Sequence, residues 1–469
     1  MEWLVKHKRL GDKPWAVQVE AMRRSEGKAK YAYFLEQGLG KTALSFNDYL
    51  NDHDVDLCLV VAPNSFKLDW SNVPELWGRP DVPGWHYPKH PLPFNEEIGV
   101  YSFNYECARS DIRHEIRKLM QRRRCMLIID EATAIKNPDS KTSKGILEFA
   151  KLATSVRLLN GTPITQNIVD YYPQLRCVGE FNGWMPLAFR NRFAVYGGYM
   201  GKQIIGKRNE DELAEILDRC SFRALKKDWR KDLPPQIVVD PIHVEMTKRQ
   251  QLHYNEMLEN FYTQVNDVDV SANLVLTQYD KLRQLSSGIA IDGDKAQMIE
   301  PPESNPKLKA VFDVHEAGPG KTIIVYWYKA SGKMLHEASE KLGLHPAWLR
   351  GAMQPEDLVT EKRRFNEDPE CRVMIAQEDA ACRGHDLLGS EGDNRCNKMV
   401  FFENSFAYWQ RAQMQDRNHR GEQDQQCNIY DIVTSPMDEF AIDVIRKKKD
   451  MADAMDELVA MIRSRKFRG

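Results

Sequence analysis

Short, unbroken apolar runs punctuate the chain, and between them apolar residues recur at helical spacing. "KYAYF" at 30–34, "CLVVAP" at 58–63, "GVYSF" at 99–103, "CMLIID" at 125–130 and "SVRLLNG" at 155–161 are continuous rather than alternating. Strands covered on both faces read this way, whereas a half-exposed strand alternates. A parallel α/β unit is therefore predicted over residues 1–170. A more helical, glycine-punctuated stretch follows over 171–235. It closes on "DLPPQIVVDPIHVEM", whose three prolines mark a boundary. The helical "KRQQLHYNEMLENFYTQV" opens a second helical stretch, 236–305. Apolar runs return at 322–328, 371–377, 398–404 and 427–433, which predicts a second sheet unit with a C-terminal helix over 306–469. The fold class is α/β: two parallel-sheet units in tandem, with short helical insertions.

Gly-Lys-Thr occurs twice, in "LEQGLGKTAL" at 35–44 and "AGPGKTIIVY" at 317–326. A phosphate-binding loop needs a strand before it, glycines that let backbone N–H groups curl around phosphate, and a helix starting at the Lys-Thr. The first copy meets all three conditions. Gly38, Leu39 and Gly40 form the loop, Lys41 is placed to reach the β- and γ-phosphates, and Thr42 to hold Mg²⁺. Leu35 stands where the strict pattern has its first glycine. The second copy runs straight into a β-branched, aromatic stretch, so it reads as a turn ahead of a strand.

"MLIIDEATAIKN" ends an apolar run on Asp130-Glu131. Two carboxylates at a strand's C-terminal end suit hydrolysis, one holding Mg²⁺ and the other orienting and deprotonating water. "RLLNGTPITQN" is a further strand exit. In "QMQDRNHRGEQ", at 413–423, Arg417 and Arg420 stand one helical turn apart, and arginines on one face can offset charge developing on a transferred phosphoryl group.

The formal charge of −2 gives no global support for nucleic-acid binding, so any such surface is a local patch. The basic runs "QRRRC" and "RKKK" read as solvated faces. Nine scattered cysteines without a Cys-x-x-Cys pair predict no structural zinc. A polar start and the lack of a long apolar stretch predict a soluble cytoplasmic protein without a membrane partner.

Taken in order, "GLGKT", "LVVAPNSFKLDW", "IIDEATAIKN", "RLLNGTPITQN", "LRQLSSG", "RFNEDPECRVMI" and "QMQDRNHRGEQ" resemble the Swi/Snf-type ATPases of helicase superfamily two. The resemblance runs from about residue 14 to 450. It implies two RecA-like lobes closing over ATP and Mg²⁺, with double-stranded or forked DNA lying across both. By position it assigns phosphates to Lys41 and Thr42, Mg²⁺ to Asp130, and the general base to Glu131. Arg420 is the arginine finger, supported by Arg417, in a motif beginning at Gln413. Gln18, in "KPWAVQVEAM", matches the glutamine that reads the adenine edge. Segments 62–67, 102–105, 351–354 and 380–387 fall where the family contacts DNA backbone.

Several positions depart from the family. Thr133 replaces a histidine, "AACRGHDL" replaces a more glycine-rich loop, "FAY" at 406–408 replaces a Trp-Asn-Pro turn, and the arginine motif ends Arg-Gly-Glu-Gln. The lean insert resembles the fork-remodelling, strand-annealing branch. The expectation is a monomeric, DNA-dependent ATPase and translocase from a bacterium or phage, working with replication or repair proteins. A strand-separating DNA or RNA helicase, an ATP-binding scaffold without hydrolysis and a nuclease subunit are the alternatives.

Overall fold

The computed structural model describes residues 2–447 apart from 7–12, 65, 96–97, 162, 164–167, 198–202, 267, 273 and 382–385. The chain divides into two compact units, Met1–Lys231 and Asp232–Gly469.

In the first unit the strands are β1 (Lys30–Leu35), β2 (Leu57–Ala62), β3 (Gly84–His86), β4 (Gly99–Asn104), β5 (Cys125–Ile129) and β6 (Ser155–Leu159). A hairpin of β7 (Ala194–Gly197) and β8 (Gln203–Lys207) precedes β9 (Ser221–Ala224). The main sheet has the order β3-β4-β2-β5-β6-β1-β9, and every pairing in it is parallel. β6 lies between β1, which leads into the first Gly-Lys-Thr loop, and β5, which leads into Asp130-Glu131. That is a RecA-like arrangement, and it brings the two chemistry-bearing strand ends to one edge. Alternate residues feed two cores: Ala32, Phe34, Leu59, Val61, Leu127 and Ile129 on one face, Tyr31, Tyr33, Cys58, Val60, Met126 and Ile128 on the other. Burial on both faces is why these strands read as unbroken apolar runs.

The 171–235 stretch is less helical than its sequence pattern predicts. It holds the β7–β8 hairpin, and its β9 pairs with β1 at the edge of the first sheet. A buried ion pair fixes the helix after the phosphate loop to the sheet. Arg157 of β6 donates through Nε to Asp48 Oδ2 at 2.5 Å, and the Tyr33 hydroxyl donates to the same oxygen at 2.5 Å.

The second unit begins with β10 (Gln236–Val238) and β11 (Ile242–His243), followed by hairpins β12 (Tyr262–Val265) with β13 (Val268–Ser271) and β14 (Ile289–Asp292) with β15 (Lys295–Met298). The remaining strands are β16 (Lys321–Tyr326), β17 (Ala347–Leu349), β18 (Val373–Gln377), β19 (Cys396–Phe401) and β20 (Cys427–Val433). Their order is β10-β20-β19-β16-β18-β17, with β11 also on β20, and all pairings are parallel. The second lobe is therefore RecA-like as well. The 236–305 stretch carries two hairpins beside its helices Lys248–Asn260 and Val275–Ser286.

The second Gly-Lys-Thr is a turn into a strand. Gly320 holds φ +100°, and β16 starts at Lys321. Lys321 is fully buried, and its Nζ donates to the carbonyls of Phe365 and Asp368, both at 2.6 Å. These carbonyls close the helix Pro355–Glu367, so the ammonium serves a helix C-terminus.

Candidate nucleotide and nucleic-acid site

The first Gly-Lys-Thr loop joins β1 to the helix Lys41–Asn51. Gly38 and Gly40 hold φ +81° and +76°, left-handed values that glycine adopts at no steric penalty. Any side chain at Gly40 would collide with Gln18, whose Nε2 lies 2.3 Å from where a Cβ would sit. Gln18 itself is buried. Its Oε1 accepts from the Trp15 backbone N–H at 2.8 Å, opening the helix Ala16–Ser25, and its Nε2 donates to the Gly40 carbonyl at 3.2 Å. The glutamine thus ties the first helix to the loop. The Arg230 guanidinium stacks over the Trp15 ring at 4.4 Å. Leu39 is fully buried beneath the loop.

Lys41 Nζ donates to the Leu35 carbonyl at 2.7 Å and to that of Glu36 at 3.4 Å. Its positive charge also reaches Asp130. Burial and the neighbouring Glu131 charge raise the Asp130 carboxyl to about 6, while the Trp70 hydrogen bond and the Lys41 ammonium pull it back down. Asp130 Oδ2 accepts from Trp70 Nε1 at 2.8 Å, and Oδ1 accepts from the Glu131 backbone N–H at 3.0 Å. Glu131 has left-handed backbone angles, φ 51° and ψ 56°, and its Oε1 accepts from Gln37 Nε2 at 3.4 Å. Thr133, at the family's histidine position, donates from Oγ1 to the Glu131 carbonyl at 3.4 Å.

The Thr42 hydroxyl at the start of the helix Lys41–Asn51 and the oriented Asp130 carboxylate are hard oxygen donors. Such a pair fits Mg²⁺, which is held by one or two protein oxygens plus substrate phosphates. Among the described residues no cluster of three or more His, Cys, Asp and Glu is placed to hold a metal ion.

The third motif reaches the same edge. A Cβ on Gly161 would lie 3.3 Å from Gln37 Cγ, and Asn160 Nδ2 donates to Gln174 Oε1 at 2.8 Å. Thr162 and residues 164–167 of this motif lie outside the described residues. So do residue 65 of segment 62–67 and residues 382–385 of segment 380–387.

The arginine motif differs from its predicted geometry. The helix Tyr408–Gln415 ends before either arginine, so Arg417 and Arg420 do not share a helix face. The Arg417 backbone N–H bonds back three residues, to the Met414 carbonyl at 2.9 Å, which turns the chain out of the helix. The Asp-Arg-Asn-His-Arg-Gly run favours this exit, because Asp and Asn compete for backbone groups and glycine ends helices. Arg417 is almost wholly buried, with Nε donating to the Gln413 carbonyl at 2.9 Å. Arg420 is partly exposed. Its Nε donates to the Asp416 carbonyl at 3.0 Å, and its NH1 pairs with Asp386.

Sequence reasoning did not single out Gln37, Trp70 or Gln174, although the first two sit inside quoted motifs, and it placed Tyr105 only in the expected DNA-contact segment 102–105. In the second unit Arg411 forms a buried bidentate pair with Asp431 at 2.6 and 3.0 Å.

The SNF2-related domain model matches residues 33–288. An "Uncharacterized ATP-dependent helicase" of Mycoplasma pneumoniae is 23% identical over 436 residues, covering 89% of this chain and 39% of that protein. "Protein CHROMATIN REMODELING 4" of Arabidopsis thaliana is 23% identical over 496 residues, covering 94% of this chain and 21% of that protein. The chain therefore spans about two fifths or less of the length of these curated relatives. The solved "Sulfolobus solfataricus SWI2/SNF2 ATPase core in complex with dsDNA" aligns over 96% of this chain and 93% of that one, with 18% identity and a TM-score of 0.43. With more than half of its residues inside the family match, this chain belongs to the SNF2-related domain family of Swi/Snf-type proteins.

Proposed function

We propose that the chain is a DNA-dependent ATPase that translocates on duplex or forked DNA. The observation that carries this reading is the convergence of Lys41, Gln37, Asp130 and Glu131 at one edge of a parallel sheet, beside a helix that starts at a glycine-rich loop. Backbone N–H groups and Lys41 hold the phosphates, and Gln18 faces the adenine. Thr42 and Asp130 hold Mg²⁺, which when bound neutralises phosphate charge. Glu131 takes the proton from the attacking water, with Gln37 orienting its carboxylate. Arg420, supported by Arg417, meets the charge that develops on the γ-phosphoryl group, and leaves its Asp386 pair to do so.

The DNA half of the reading rests on family membership and on relatives whose names include helicases and a chromatin remodeller. The Mycoplasma relatives favour a bacterial or phage setting, and the lean insert favours the fork-remodelling, strand-annealing branch. A monomer in the cytoplasm, working beside replication or repair proteins, completes the reading. No described helix is long and apolar enough to cross a membrane.

ATP turnover measured with no nucleic acid, duplex DNA, forked DNA, single-stranded DNA and RNA tests it. Duplex or forked DNA should stimulate most, with stimulation falling steeply as salt rises because phosphate contacts release counterions. Stimulation by RNA alone overturns the translocase reading in favour of an RNA helicase.

A further inference from the structure

Two aromatic donors converge on Asp130 from outside the nucleotide loop. Trp70 Nε1 donates to the carboxylate Oδ2 at 2.8 Å, and the Tyr105 hydroxyl donates to the Asp130 backbone carbonyl at 2.6 Å. Both rings are buried, Trp70 to 2% exposure and Tyr105 to 7%. Each is tied to one of two neighbouring strand exits. Trp70 lies one turn into the helix Lys67–Leu76 after β2, where its N–H bonds to the Phe66 carbonyl at 2.9 Å. Tyr105 directly follows β4. The exits are also joined to each other: Ser102 Oγ donates to the Lys67 carbonyl at 2.5 Å, and Asn104 Nδ2 to Asn64 Oδ1 at 3.3 Å.

We infer that Trp70 and Tyr105 are positioning residues that set the orientation of the Asp130 carboxylate and link it to the polar surface at the ends of β2 and β4. This deepens the proposed function, resting on its reading of Asp130 as a metal carboxylate and on the expectation that segments 62–67 and 102–105 contact nucleic acid. The carboxylate has four lone-pair directions. The indole and the Glu131 N–H occupy one on each oxygen, which fixes the carboxylate plane and leaves the others for metal-bound groups. Outer hydrogen bonds of this kind fix ligand geometry, and their loss weakens metal binding. Tyr105 holds the other end of the residue through its carbonyl. A shift of Phe66, Lys67 or Asn104 on binding a phosphate backbone moves one ring or the other, and through it Asp130.

The alternative is that Trp70 is a packing residue whose N–H merely needs an acceptor. Mn²⁺, a hard-oxygen probe readable by electron paramagnetic resonance, separates the two. Its affinity is measured on the whole chain with ADP, with and without duplex DNA, for wild type, Trp70→Phe, Tyr105→Phe and Val73→Ala. Val73 is buried on the same helix and serves as the control for lost packing. Trp70→Phe should weaken Mn²⁺ by about tenfold or more, and Val73→Ala should leave it within about twofold while lowering the melting temperature. Duplex DNA should change the wild-type Mn²⁺ affinity, and both aromatic variants should lose that response. If Trp70→Phe binds Mn²⁺ as wild type does, or Val73→Ala weakens it equally, the positioning role is overturned. A DNA response that survives in both aromatic variants overturns the link. Should Trp70→Phe fail to fold, Tyr105→Phe, which removes one oxygen, decides by the same criteria. A wild type that binds no Mn²⁺-ADP at all, or no DNA, would instead defeat the proposed function itself.

Discussion

Lys41 Nζ lies 2.7 Å from the carbonyl oxygen of Leu35, so the loop's lysine bonds to the residue that replaces the loop's missing first glycine. The contact uses only the Leu35 backbone. A leucine can therefore stand at this position without blocking the lysine, and its side chain packs into the core beside Leu39.

Lys41 and Lys321 share a motif and not a role. Lys41→Ala should abolish ATP hydrolysis and leave the melting temperature nearly unchanged. Lys321→Ala should retain wild-type kcat yet destabilise the fold by about 1–3 kcal/mol, because two buried carbonyls lose their donor. Turnover and thermal melts of both variants check this, and equal losses of kcat would show that the second copy also serves the nucleotide.

Glu131 and Arg420 are assigned to the transition state rather than to ground-state binding. Glu131→Gln should bind ATP and fail to hydrolyse it. Arg420→Ala should keep ATP affinity within a few-fold while DNA-stimulated kcat falls by roughly 10³–10⁵, the range for a displaced arginine finger. ATP binding and turnover are titrated separately, and an undiminished kcat in Arg420→Ala removes this arginine from the mechanism.

Glu378 introduces a pH dependence into the second lobe. Burial raises its carboxyl to about 7, against the pull of Arg411 and the Ser405 hydrogen bonds. The native state therefore keeps this proton after the unfolded chain, near 4.5, has released it. Stability from this group is full below about 4.5 and is lost as pH rises towards 7. Glu378→Gln should abolish that loss, gaining about 3 kcal/mol over wild type at pH 8 relative to the difference at pH 4. Denaturant melts at the two pH values measure it, and parallel stability profiles for the two proteins would rule the effect out.

The parts of the fold that were legible share one property. β1, β2, β4, β5 and β6 are covered on both faces, so their apolar runs stand out in the bare sequence. β3 and β9 escaped notice because they have three and four residues, and "SFRA" of β9 carries an exposed arginine. The meeting of the Lys41 loop with Asp130-Glu131 at one sheet edge was legible because a strand, glycines and a helix start are local signals. Trp70 and Tyr105 were not, since their bonds to Asp130 span 60 and 25 positions and depend on β2, β4 and β5 lying side by side. The arginine motif failed differently. Three-residue spacing implies a shared face only while the helix lasts, and this helix stops at Gln415.

The left-handed backbone at Glu131 sets the proposed proton-accepting role against durability at a single torsion angle. A residue with a Cβ held at φ 51° is strained by about 1–2 kcal/mol, whereas glycine is not. The usual ranking of small residues should therefore invert here. Glu131→Gly should be more stable than Glu131→Ala by about 1 kcal/mol in denaturant melts, although both lack the same carboxylate. On the proposed reading of Glu131 as general base, the acid stands at a position where the scaffold would be better served by a residue that cannot accept a proton from water.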